Sequence, residues 1–242
     1  MKKYDLAGIF FRSLSIQSSW SFRGMQNVGF AYSLIPLVRS GGNKKWISEI
    51  LTRHLLPFSS HPYLTGAIIA SVARLEEESG ERSDCPEAPR RKEALMAPYA
   101  AVGDPFFWGG LRPFSSVAAV ILALEGVLFA PLLFLIAYNS IHIWIRLKGF
   151  MEGYQDGKGG IGFLGRIALP YKTKVLKWSA TFFLALLGAV FVDSSFPLAN
   201  LAWVLALGGT LVLVLLCSWL VGRGISSLAM LYGAALFFVV IV

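Results

Sequence analysis

Between Val102 and Pro113 the chain reads VGDPFFWGGLRP, and this stretch carries the residue types best suited to holding a polar solute. Asp104 follows ten uncharged residues and lies in a run, Ala94 to Leu111, that otherwise has membrane character. An ionised carboxylate in hydrocarbon costs several kcal/mol, so it must face a protein interior or a wet cavity. Gly103 and Pro105 interrupt helical hydrogen bonding around it, which is tolerated at membrane depth only where backbone lines protein or water. Broken helices near the bilayer midplane are how many carriers present polar backbone to a solute. Trp108 offers a face for stacking and Arg112 a counter-ion. An opposing reading stays open: Asp104 caps the helix that follows, or pairs with Arg112, and only holds the fold.

Gln26 and Asn27 form a second polar pair inside a short apolar segment. Amides donate and accept at once, which suits sugar hydroxyls, and they carry no charge to desolvate. They also commonly bond between helices in membranes, so a structural role stands beside the functional one. Of the three histidines, His54 falls on the apolar stripe of its segment and is expected to be a partly buried packing residue. His61 precedes Pro62 at a helix start, where capping is expected, and His142 sits near a cytoplasmic helix end. No spacing joins them into a metal site or a nucleophile–base pair, so no metal, cofactor or catalytic residue is expected. GKGGIG, 157–162, formally matches GxGxxG but follows no strand and lacks the acidic residue about twenty positions on, so it reads as a loop. Cys85 and Cys217 are far apart, and no disulfide is expected. Glu76, Glu77 and Glu78 read as a solvated helix end.

The elements that must position these residues are set by hydropathy. Of 242 residues 55% are hydrophobic and only 15% charged, below the roughly 25% usual in soluble domains. Glu125 is the only charge between Pro113 and Ile145, and Asp193 the only one between Lys177 and Arg223. About 20 apolar residues cross a bilayer as a helix, so the chain is an all-α integral membrane protein. The formal net charge of +8 raises nucleic acid as a partner, but the basic residues flank apolar runs, so topology accounts for them.

Residues 1–92 read as an amphipathic and re-entrant part. Leu6, Ile9, Phe10 and Leu14 share helical spacing, and Ile47, Ile50, Leu51, Leu55 and Phe58 form a second stripe. The run between Arg23 and Arg39, about fifteen residues or about 22 Å, is too short to cross a roughly 30 Å core. A charged linker, 79–92, leads into broken and long membrane helices at 93–145. The broken crossing is expected through Ala94–Leu111 and one long return through 114–145, with a re-entrant hairpin beside a tilted helix as the open alternative. Lys and Arg crowd both the linker and the loop 146–177, which places both in the cytoplasm. Three C-terminal transmembrane helices are expected within 178–242, near 178–194, 199–221 and 225–242.

Four stretches carry a resemblance: 12–36 (RSLSIQSSWSFRGMQNVGFAYSLIP), 61–78, 94–113 and 126–154. The chain resembles the IID membrane component of the mannose/fructose/sorbose family of sugar phosphotransferase systems. That resemblance implies a single membrane domain in the bacterial cytoplasmic membrane, not catalytic alone and itself unphosphorylated. It implies a hetero-oligomer with the IIC subunit, which together form the conduit for a hexose-type sugar. IIA and IIB components would relay the phosphoryl group, and IIB would phosphorylate the sugar. Gln26 and Asn27 then fall on one family motif, and Asp104, Trp108 and Arg112 on another, as sugar-binding or permeation residues. Pro105, Ala97 and the 79–92 linker depart from the family pattern and bear on local geometry. Two rivals differ in class: a docking subunit that only stabilises IIC, and a free-standing membrane enzyme using Asp104 and His61.

Overall fold

The computed structural model describes residues 3–39, 44–80, 85–156 and 162–195, with isolated positions beyond. The chain divides into compact units at Met1–Leu184 and Ala185–Val242. In the second, the Arg223 guanidinium lies 4.8 Å over the Trp219 ring. The spans expected near 199–221 and 225–242 lie largely outside the described residues.

Within the first unit, α1 (Lys3–Ser13) is followed by two short helices, α2 (Asn27–Ser33) and α3 (Ile35–Arg39), and then by α4 (Lys44–His54). The run Asn27–Val38 is a short apolar helical stretch, and its Phe30, Leu34, Leu37 and Val38 are buried. Helix α5 (Thr65–Ser79) is the centre of the fold, with every residue from Thr65 to Ala73 buried. Its small residues Gly66, Ala67, Ala70, Ser71 and Ala73 let other helices close on all sides. Gly153 lies so near the Ala67 carbonyl that no Cβ fits between them.

Next come α6 (Glu87–Phe106), a π-helical turn (Phe107–Leu111), α7 (Arg112–Leu124) and α8 (Ala130–Asp156), of which α6 and α8 pack on α5. The first three form one continuous helical run of 38 residues, and α8 returns alongside; both are long and apolar enough to cross a membrane. At 1.5 Å per residue the first is about 57 Å long, well beyond a roughly 30 Å core, so its N-terminal turns extend past the hydrocarbon. The reversal falls at 125–129 rather than near Pro113, and residues 114–124 belong to the outgoing helix, not to the return. The reason is local. Pro105 lacks an N–H and crowds the preceding turn, but the distortion is absorbed as a π-turn instead of a break. The true turn uses Gly126 at φ +82°, a conformation that glycine takes without steric cost. Helices α9 (Gly162–Ile167) and α10 (Leu169–Ser195) close the described chain.

Several polar residues expected in solvent are inside. Lys92 and Arg146, both counted among the cytoplasmic charges, are buried, and so is Cys85. Glu76 is buried too, unlike the solvated helix end predicted for it, because the α5 stripe Ile69, Val72, Ala73 and Glu76 faces inward. Its carboxylate meets His54 Nε2 at 2.8 Å and Arg53 at 3.7 Å. His54 is therefore a wholly buried hydrogen-bond partner of Glu76 and not merely a packing residue. Burial holds its pKa below the usual 6.5, and its Nδ1 has no hydrogen-bond partner, as suits a neutral ring donating from Nε2.

Candidate functional site

The site is organised by the non-helical segment from Leu55 to Leu64, which joins α4 to α5. This segment has few hydrogen bonds of its own, so side chains from three other elements satisfy it. Lys92 of α6 donates to the carbonyls of His54 (2.9 Å) and Leu56 (2.8 Å). Its ammonium also sits over the Phe30 ring at 4.8 Å. Gln26 donates from Nε2 to the Ser60 carbonyl (3.0 Å) and accepts the Ser60 N–H at Oε1 (3.2 Å). The Ser60 hydroxyl donates to the Met96 carbonyl at 3.1 Å. From α8, Arg146 donates to the carbonyls of Pro62 (3.0 Å) and Ser13 (2.9 Å). The next residue to Ser60, His61, reaches across to α6.

There the His61 ring is flattened against Phe107, with centroids 4.7 Å apart and planes 23° off parallel. Its Nδ1 lies 3.2 Å from Asp104 Oδ1. The His61 side chain is wholly buried, whereas that of Asp104 is 58% exposed. His61 Nε2 is buried with no hydrogen-bond partner, so the arrangement that strands no buried N–H is a neutral ring donating from Nδ1 to the carboxylate. The capping role expected of His61 is not what it does; it holds Asp104 in place. Gly103 makes this possible, because a Cβ there would stand 2.5 Å from His61 Cβ and Cγ.

Asp104, Trp108 and Arg112 are all exposed and stand four residues apart on the bent helix, so they share a face. Arg112 lies 5.9 Å over the Trp108 ring; among the described residues the hydrogen-bond partner of Asp104 is His61, not Arg112. Behind Trp108 is an aromatic layer. Tyr63 stacks on His142 at 4.4 Å, meets His61 at 5.2 Å and lies 5.7 Å from Trp108. Tyr138, His142 and Arg146 recur every four residues along the inner face of α8, and Arg146 lies 5.8 Å over Tyr63. His142 is thus inside a helix and half-buried, not at a helix end.

The predicted residues therefore separate into two groups. Asp104, Trp108 and Arg112 come together as one exposed carboxylate–aromatic–guanidinium patch. Gln26 is buried at 4% exposure with both ends of its amide on Ser60, so it presents no free face to a hydroxyl. Asn27 Nδ2 donates to the Leu55 carbonyl, and its Oδ1 accepts the Val28 N–H at 2.8 Å. These two amides meet Asp104 only indirectly, through Ser60 and His61. Sequence reasoning paired His61 with Asp104 only in the enzyme rival, and it missed Tyr63, Tyr138 and Arg146 as members of the site. The four-residue recurrence along 138, 142 and 146 was a signal that could have found three of the residues around it.

Two helices long and apolar enough to cross a membrane, one of them carrying a lone carboxylate beside a proline and a π-turn, are features of a helical membrane protein. The particular family follows from direct comparison. A sequence profile described as the PTS system mannose/fructose/sorbose family IID component matches residues 1–242, and the chain belongs to that family. It is 34% identical over 157 residues to the mannose-specific EIID component of Escherichia coli K12, covering 63% of this chain and 56% of that one. The fructose permease IID component of Bacillus subtilis is 35% identical over 162 residues, covering 65% and 58%. The sorbose-specific EIID component of Klebsiella pneumoniae is 34% identical over 164 residues, covering 66% and 60%. These matches span little more than half the length of the curated relatives. Two solved structures share the fold at 26% identity, each covering 99% of this chain and 96% of the other. One is a membrane protein (TM-score 0.73), the other the mannose transporter ManYZ in complex with microcin E492 (TM-score 0.60).

Proposed function

We propose that this chain is the IID subunit of a phosphoenolpyruvate-dependent sugar phosphotransferase system in the bacterial cytoplasmic membrane. With a IIC subunit it forms the conduit for a mannose-, fructose- or sorbose-type sugar, which IIB, charged by IIA, phosphorylates on the cytoplasmic side. The chain performs no chemistry alone. Its domain is a single membrane unit whose N-terminal helices 1–92 support the crossing helices of 93–145, followed by the loop 146–177 and the spans of 178–242.

The observation that carries this reading is the exposed Asp104 carboxylate, fixed by a buried histidine and flanked on one helix face by Trp108 and Arg112. An aromatic face with a few fixed polar groups is how a pocket orients a polyhydroxylated ligand. A carboxylate accepts hydroxyl protons, and a guanidinium donates to hydroxyl oxygens. In this mechanism Gln26 and Asn27 act one step back: they hold the Leu55–Leu64 segment that in turn holds His61 and Asp104. Rigid-body movement against IIC then carries the patch from one side of the membrane toward the phosphoryl donor.

Sugar uptake by cells carrying Asp104→Ala, normalised to the amount of this chain and of IIC in the membrane, tests the reading. Uptake at least ten-fold lower at unchanged protein levels is expected; wild-type uptake would overturn it. A docking subunit without sugar contact would instead lose IIC, with uptake falling only in proportion. The satisfied amides of Gln26 and Asn27 favour that second role for those two residues alone.

A further inference from the structure

Where the π-turn and the first turns of α10 lean on α8, the structure holds a cavity of about 630 Å³, within the size range of small-molecule sites. Phe106, Leu111 and Ile145 form its buried floor, and Ile141, Trp144 and Tyr171 its exposed mouth. The lining is almost wholly apolar, and its one cationic side chain is the exposed Lys172. Asp104, Trp108 and Arg112 are not among its lining residues.

Depth along the helix says which environment the mouth meets. Trp144 lies fourteen residues beyond Ala130, or about 21 Å from the 125–129 turn at 1.5 Å per residue. Within a core of roughly 30 Å the cavity therefore sits in the opposite leaflet, approaching the headgroups. The side chains there have the character of an interface. Lys148 Nζ lies 5.0 Å over the Trp144 ring, and Tyr171 and Trp178 are exposed nearby. Glu152 neutralises two neighbouring cations, Lys148 at 3.8 Å and Arg166 at 2.6 Å. Lys172 has no acidic partner among the described residues.

An apolar slot with one uncompensated cation at its headgroup end is complementary to one class of occupant. A helix of another chain laid across the mouth would bury the Lys172 ammonium without a counter-charge, which is strongly unfavourable. A phosphodiester supplies that charge and stays in water, while its acyl chain fills the slot. Basic pockets between membrane helices on the cytoplasmic side bind anionic headgroups in this manner. We propose that this cavity is a binding site for one acyl chain of an anionic phospholipid, with the lipid phosphate on Lys172.

The test is native mass spectrometry of the full chain, purified with its membrane partners, against phosphatidylglycerol and phosphatidylcholine of identical acyl chains. Wild type should retain phosphatidylglycerol preferentially. Lys172→Gln should cut that preference about five-fold, the effect of one basic residue at a membrane surface. Lys174→Gln, outside the cavity, should leave the preference unchanged, and Ile141→Trp, which fills the mouth, should lower retention of both lipids. Both cavity positions are exposed, and circular dichroism checks that the variants fold. Quenching of tryptophan fluorescence by mid-chain brominated phosphatidylglycerol, reduced in Trp144→Phe, gives an independent readout. Equal retention of the two lipids, an unaltered preference in Lys172→Gln, or disulfide capture of I141C by a partner subunit would each overturn the proposal. Sugar uptake is a separate measurement, so failure here leaves the role of Asp104 standing.

Discussion

Replacing Gly103 by alanine adds one methyl group at the tightest point of the site. The new Cβ would stand 2.5 Å from His61 Cβ and Cγ and 2.7 Å from Cδ2, where ordinary contacts begin at 3.4 Å. His61 must therefore retreat by about 1 Å, yet its ring is wholly buried and backed by Phe107 and Tyr63. Overpacking of this kind costs about 1–3 kcal/mol. The retreat also stretches the 3.2 Å bond to Asp104, but that carboxylate is 58% exposed, so water replaces the histidine at little cost in stability. The stability loss is then about 1–3 kcal/mol from packing. In a chain of this size each kcal/mol lowers the melting temperature by roughly 2–4 °C. Gly165→Ala is the control, because nothing lies within 4 Å of that position; it should be neutral or slightly stabilising. Thermal unfolding in detergent measures both, and uptake per folded molecule measures the freed Asp104. The double variant Gly103→Ala with His61→Gly removes the clashing atoms, so its stability loss should fall well short of the sum of the two singles. A Gly103→Ala protein that melts with wild type, or strictly additive losses in the double variant, would refute the account of how Asp104 is positioned.

Other perturbations separate support from contact. Gln26→Leu strands the buried N–H and carbonyl of Ser60 and should cost about 1–3 kcal/mol, with uptake falling only as the amount of folded protein falls. Arg112→Ala, at an exposed position, should change the melting temperature little yet reduce uptake at saturating protein levels; unchanged uptake would remove Arg112 from the site. Lys92→Met leaves the carbonyls of His54 and Leu56 without their donor and should lower stability by about 1–3 kcal/mol, read by denaturant titration. The buried His54 binds its proton below pH 6.5 in the folded chain, so between that lower value and 6.5 the unfolded chain carries more protons. Its contribution is therefore full above pH 6.5 and declines as pH falls, by at most about 1.4 kcal/mol per pH unit. His54→Gln should flatten that slope, whereas stability rising on acidification would contradict it.

Much of the helical layout was legible in the sequence because it depends on local signals. The apolar runs read at 94–111 and 114–145 and the short segment after Arg23 announce themselves by length. The stripe read for α4 kept only Ile50 fully buried within the helix: its inward face is Trp46, Ile50 and His54, and Leu55 is exposed. The reversal was misplaced because Gly103, Pro105, Gly109 and Gly110 look like helix breakers in sequence. In the structure the glycines serve close approach instead: Gly103 admits His61, and a Cβ at Gly109 would stand 3.3 Å from the Lys177 side chain. The partners that allow Lys92, Arg146 and Glu76 to be buried were not legible. Each is compensated by a group 22 to 133 residues away, such as His54 for Glu76 and Ser13 for Arg146, and no local pattern encodes such distant partners.

That distance has a consequence for how the two conspicuous polar motifs relate. Gln26 and Asp104 look like independent contributors when read along the chain, since 78 positions separate them. In space they hold neighbouring residues of one segment, Gln26 the backbone of Ser60 and Asp104 the ring of His61. A segment without its own helical bonds keeps one conformation only if enough outside groups hold it, and here Lys92, Gln26, Met96, Asp104 and Arg146 do so together. Loosening any one of them lets the segment move and carries His61 with it, and His61 is the group that fixes Asp104. The functional carboxylate is thus sensitive to amide chemistry in α2, even though no amide there faces the same surface.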